Sequence, residues 1–140
     1  FNLEKKKNNL LRDEFETKLI KKFQIKNKPI LLVCRGFQLL ASNYGSQLIK
    51  VKEHVKSMHK IYLSKNIFFK KKQSLSINSF HNYGIKKIGN EFEVLGKTKD
   101  GNIEFAKVKN QKTYCTMFHP ERYNKDQISV NKIIKEIFSI

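Results

Sequence analysis

The chain has 140 residues, of which 39% are apolar, enough for one domain with a core and too apolar for a disordered segment. Its net charge of +17 rests on 26 lysines against three arginines, spread over the chain with triplets only at Lys5, Lys6, Lys7 and at Lys70, Lys71, Lys72. That pattern speaks against a nucleic-acid reader, which leans on bidentate arginines, and for a solvated lysine coat whose field would steer an anionic small molecule. No apolar run approaches the ~20 residues of a membrane helix, and two cysteines in different contexts make no disulfide framework, so a reducing, cytoplasmic setting without membrane contact is expected.

The first residues, Phe1-Asn2-Leu3-Glu4-Lys5, carry neither an initiator Met nor a signal pattern and read as the interior of something longer. Residues 11–27 predict an amphipathic helix with Phe15, Leu19 and Phe23 on its apolar stripe, stopped at Asn27-Lys28-Pro29. Residues 29–33 form a short apolar run without alternation, which predicts a strand buried on both faces. Residues 35–44 return to helical spacing through Phe37, Leu39, Leu40 and Tyr44, with Gly45 as the stop. Strands are expected at 47–51, 60–63, 74–77, 91–96, 103–108 and 113–118, with Asp100-Gly101 turning a hairpin. A closing helix over 127–138 places Ile128, Ile133, Ile134 and Ile137 on one stripe. With no repeat and no linker, residues 1–140 read as a single α/β domain, a three-layer sandwich around a mostly parallel sheet.

Cys34 falls where the buried run meets the next helix. A sharp strand-to-helix turn lifts such a side chain clear of the sheet, and a helix N-terminus lowers a thiol pKa. The backbone N–H of Arg35 then suits an oxyanion, and Gly36 lets the turn close. By position alone, a buried core cysteine is an equal reading. His119-Pro120-Glu121 follows the strand at 113–118 and offers a base with an orienting carboxylate, although a surface turn has the same letters.

Taken together, Cys34-Arg35-Gly36-Phe37-Gln38-Leu39-Leu40 and Met117-Phe118-His119-Pro120-Glu121 resemble the class I glutamine amidotransferase superfamily. The segment Ile77-Asn78-Ser79-Phe80-His81-Asn82-Tyr83-Gly84-Ile85, with Asp100-Gly101-Asn102-Ile103-Glu104, resembles its γ-glutamyl hydrolase branch, as do Arg12-Asp13-Glu14 and His54-Val55. That branch includes hydrolases of γ-glutamyl-aminobutyrate and of γ-glutamyl nucleotide amidates in surface-polysaccharide pathways. The resemblance implies a flavodoxin-like sandwich, with Cys34 as nucleophile, His119 as base and then acid, and Glu121 orienting His119. It places Arg35 N–H at the oxyanion, and Gln38, Asn78, Ser79, Phe80 and His81 near the γ-glutamyl group. It implies no cofactor and a small γ-glutamyl substrate, and leaves a homodimer or a synthetase partner open.

Two departures from the family pattern stand out. The elbow usually reads Gly-x-Cys-x-Gly, but position 32 is Leu32. The family fold also opens with strands and a Gly-Gly loop that supplies a second oxyanion donor, and this chain is expected to begin after them. These departures keep two alternatives to a free-standing hydrolase in view, a glutaminase serving a synthetase and a non-catalytic protein on the same scaffold. A metal pair at His54 and His59 lacks the further ligands of a zinc set, so no metal is expected. Cys115, inside an apolar run, reads as core.

Overall fold

A computed structural model describes residues 3–52 and 55–140. In chain order the elements are α1 (Leu3–Ile25), β1 (Ile30–Val33), α2 (Arg35–Asn43), β2 (Ile49–Lys50), β3 (Val55–Leu63), β4 (Gln73–Phe80), β5 (Tyr83–Gly84), β6 (Phe92–Thr98), β7 (Ile103–Val108), β8 (Thr113–Thr116) and α3 (Gln127–Phe138). α1 starts earlier than its periodicity predicts. It ends as expected, with Asn27 at φ 49° and the Lys28 N–H bonded to the Phe23 carbonyl at 3.0 Å, a left-handed cap just before Pro29.

Six strands form one sheet in the order β1-β8-β7-β6-β3-β4, and β2 pairs with β5 separately. Within the predicted α/β sandwich, the expectation of mostly parallel pairing needs correction. Among the described residues only β1 and β8 run parallel in the six-stranded sheet, Ile30 facing Thr113 and Val33 facing Thr116; its other pairings are antiparallel. The cause is connection length. Short turns such as Thr98–Ile103, with Gly101 at φ 88°, join antiparallel neighbours, whereas β1 reaches β8 only through most of the chain.

Helices cover both faces. α1 and α2 pack with Leu32, Ala106 and Cys115 on one side, and α3 packs with Ile61, Phe105 and Tyr114 on the other. β1 is not buried on both faces as its apolar run suggested. It is an edge strand, and of its side chains only Leu32 is buried.

Two stripes are also corrected. On α1, Phe15 is 66% and Leu19 40% exposed, while Ile20 is 4% exposed. Polar contacts set the rotation of the helix. Arg35 pairs with Asp13 and, at 2.5 Å, with Glu16; Asn43 donates to Thr17, and Gln24 to Thr113. Those positions share a face with Ile20. On α3 the buried line is Val130, Ile133 and Ile137, and Ile128 is exposed. Cys115 is fully buried, and burial pushes its thiol far above the ordinary range.

Candidate active site

Parallel pairing of β1 with β8 brings two chain segments out at the same sheet edge. Cys34 follows Val33 directly, and His119 lies three residues beyond Thr116. The Cys34 N–H donates to the Thr116 carbonyl at 2.7 Å, and the Cys34 carbonyl accepts the Gln38 N–H at 3.0 Å to open α2. Held between sheet and helix, Cys34 takes φ 49° and ψ −98°. An L residue adopts that conformation at a cost of about 1–3 kcal/mol, the kind of strain found at nucleophile elbows. Leu32 is buried at the elbow, and a Cβ on Gly36 would lie 3.4 Å from the Leu32 Cβ, an ordinary van der Waals contact.

The thiol is half-buried, and its pKa departs from expectation. Burial raises it above the ordinary thiol value and outweighs the Arg35 N–H, which favours the thiolate. Glu104 and Glu121 raise it further and Arg122 lowers it. The helix N-terminus therefore does not by itself bring the thiol below its ordinary range.

His119 Nδ1 lies 2.7 Å from Glu121 Oε1. The carboxylate can only accept, so Nδ1 carries the proton and Nε2 presents a lone pair. Burial pushes the Glu121 carboxyl upward, but the His119 hydrogen bond, the local backbone and the charges of His119 and Arg122 hold it below the usual carboxylate range. The Phe80 ring meets the His119 ring edge-on, centroids 5.7 Å apart, and Arg122 lies over Phe80 at 4.5 Å.

Asn78 is buried, and its amide serves the histidine loop. It donates to the carbonyls of His119 (2.7 Å) and Tyr123 (3.0 Å) and accepts the His119 N–H (2.8 Å). Asn124 accepts the Asn78 N–H at 2.8 Å and donates to the carbonyls of Arg122 (2.8 Å) and His119 (3.2 Å). Ser79 is buried on β4. His81, 2% exposed, sits between the Tyr83 carbonyl (3.0 Å) and Glu104 Oε1 (3.1 Å). The Gln38 amide donates to the same Tyr83 carbonyl at 3.0 Å, tying the 81–84 turn to α2 one helical turn beyond Cys34.

Two residues of this network carry no role in the sequence reading. Glu104 is completely buried on β7, with His59 Nε2 at 3.5 Å as well as His81. A lone carboxylate inside the apolar run Ile103-Glu104-Phe105-Ala106 is the signal that could have found it, since such a charge is almost never buried without partners. Asn124 carries no comparable mark. His54 lies outside the described residues; among those described, no group of three or more His, Cys, Asp or Glu is placed to hold a metal ion. No described helix is long and apolar enough to cross a membrane.

The Peptidase C26 family model matches residues 2–121. A gamma-glutamyl-CDP-amidate hydrolase of Campylobacter jejuni is 33% identical over 129 residues, covering 92% of this chain and 60% of that protein. A glutamine-hydrolyzing GMP synthase subunit of Methanocaldococcus jannaschii is 30% identical over 95 residues, 66% of this chain and 50% of that one. The matches span between half and three fifths of the length of these relatives. The crystal structure of a glutamine amidotransferase from Thermotoga maritima superposes with a TM-score of 0.64 over 95% of this chain and 56% of that one; at 20% identity the likeness concerns the fold.

Proposed function

Because the chain belongs to the Peptidase C26 family, we propose that it is a cysteine-dependent hydrolase that cleaves a γ-glutamyl amide and releases glutamate. The observation that carries this reading is the strained Cys34 elbow at the same sheet edge as the His119–Glu121 pair. His119 Nε2 takes the thiol proton, and the sulfur attacks the γ-carbonyl carbon. The Arg35 N–H faces the oxyanion that forms. Collapse breaks the C–N bond, and the leaving nitrogen takes its proton from His119. Water, deprotonated by His119, then attacks the thioester, freeing glutamate and restoring the thiol. A raised thiol pKa suits this order, because the proton leaves only when the base is engaged.

For the amine side we favour a γ-glutamyl nucleotide amidate, in a cytoplasmic pathway to surface polysaccharide. The 33% identity to a gamma-glutamyl-CDP-amidate hydrolase supports it, and the +17 charge suits an anionic substrate. A second reading, a glutaminase supplying ammonia to a synthetase, is favoured by the likeness to the glutamine-hydrolyzing part of a GMP synthase. Glutamate release from γ-glutamyl-CDP-amidate, γ-glutamyl-aminobutyrate and glutamine decides among them. Efficiency greatest on the amidate, abolished in Cys34→Ser with the melting curve preserved, is the expected result. Turnover by Cys34→Ser within a few-fold of the parent would refute the nucleophile, and preference for glutamine would favour the second reading.

A further inference from the structure

β3 runs on past the end of β6. Ile61, Tyr62 and Leu63 pair with Thr98, Lys97 and Gly96, whereas residues 55–60 have β4 as their ladder partner among the described residues. The open side of this overhang and the turn after β6 enclose a groove of about 590 Å³, within the size range of small-molecule sites. Lys52, Lys60 and Lys99 stand around it, and His59 and Tyr62 form part of its wall. Asp100 also lines it, but its carboxylate accepts from Thr98 Oγ1 at 2.5 Å and Asn102 Nδ2 at 2.7 Å and so is engaged within the turn.

The lysines of this chain are spread along it, and exposed charges farther apart than a Debye length are largely screened. Three around one concavity focus their field, and ammonium groups bind phosphate as point charges. Tyr62 is exposed beside them and offers a flat face on which a nucleobase can stack.

The groove lies at the same end of the strands as the candidate nucleophile. Continuing the row from Cys34 leads to Met117, whose N–H donates to the Glu104 carbonyl at 2.9 Å, and then to the register shift between Gly96 and Lys97 on β6, next to Thr98 at the groove. Three strand spacings separate β1 from β6, about 14 Å. His59 bridges the interval, 3.5 Å from the Glu104 carboxylate whose charge reaches the Cys34 thiol.

We propose that this groove is the subsite for the nucleoside diphosphate part of the substrate, with Lys52, Lys60 and Lys99 neutralising the phosphates and Tyr62 stacking on the base. The proposal rests on the γ-glutamyl nucleotide amidate reading above, and its test separates the two. Calorimetric titration of the purified protein with CDP, pyrophosphate and cytidine is run at ionic strengths of about 0.01 M and 0.15 M. CDP should bind more tightly than either fragment and more weakly at the higher salt. Lys60→Ala/Lys99→Ala should weaken CDP by about tenfold or more, roughly what losing two exposed charge contacts implies, and Tyr62→Ala should weaken CDP but not pyrophosphate. The lysine variant should raise KM for γ-glutamyl-CDP-amidate with little change in kcat, while any turnover of glutamine stays at the parent level. CDP binding that responds to these substitutions in a protein without hydrolase activity keeps the groove and removes the hydrolase. Absence of CDP binding, or binding indifferent to the substitutions, overturns the groove even if the amidate is hydrolysed.

Discussion

Asn78→Leu separates the histidine clamp from the chemistry it serves. Leucine matches asparagine in size but offers neither donor nor acceptor. The His119 N–H then loses its partner and so does the Tyr123 carbonyl, while the His119 carbonyl keeps Asn124 at 3.2 Å. Two orphaned backbone groups in a site where Asn78 is 2% exposed cost about 1–3 kcal/mol each, so a loss of about 3 kcal/mol is expected after partial relaxation. For a domain of this size that lowers Tm by roughly 10 °C. Activity should fall further than stability. The clamp fixes the main chain of His119, the proposed base, and an ~1 Å displacement costs on the order of 10²-fold. The assay pairs thermal melts with glutamate release measured well below the variant's Tm. A fall in kcat of about 10²-fold at nearly constant KM is expected. A variant that melts within about 1 kcal/mol of the parent, or one that loses stability but keeps kcat, refutes the clamp.

Glu121→Gln keeps a polar group beside His119 Nδ1 but removes the charge that stabilises the imidazolium, and should lower kcat by about 10²-fold or more with KM nearly unchanged. The Glu121 carboxyl is held below its ordinary range, so its contribution to stability is present above the unfolded carboxyl pKa and is lost as pH falls through the folded one; acid melts of Glu121→Gln should show a shallower decline than the parent. Cys115 has the opposite sign. Burial raises its folded pKa, so its contribution is complete below the unfolded thiol value of about 8.5 and falls as pH rises beyond it; Cys115→Ala should flatten the alkaline loss of Tm even while lowering Tm overall. An unchanged alkaline slope would place that loss on other groups.

Local order carries much of what could be read from the chain itself. The stop of α1 before Pro29, the end of α2 at Gly45 and the hairpin at Asp100-Gly101 depend on neighbours in sequence and appear where expected. So does the junction at Cys34, because a strand that ends where a helix begins announces an elbow. The resemblance of three separated segments identified the family, which no periodicity reports. Strand partners, helix rotation and polar burial were decided by tertiary structure. Phe15 and Leu19 have helical spacing, but the Arg35 contacts with Asp13 and Glu16 turn the opposite line of α1 inward. The 29–33 run is apolar, yet its place at the sheet edge leaves most of it half-buried. The thiol at a helix N-terminus has a raised pKa because burial, a three-dimensional quantity, outweighs a local hydrogen bond. Glu104, His81 and His59 lie far apart in the chain and meet only because β7, the 81–84 turn and β3 converge at one edge. Side-chain identity determines what a group can donate, accept or carry as charge; which groups meet, and whether water reaches them, depends on packing across the whole sheet.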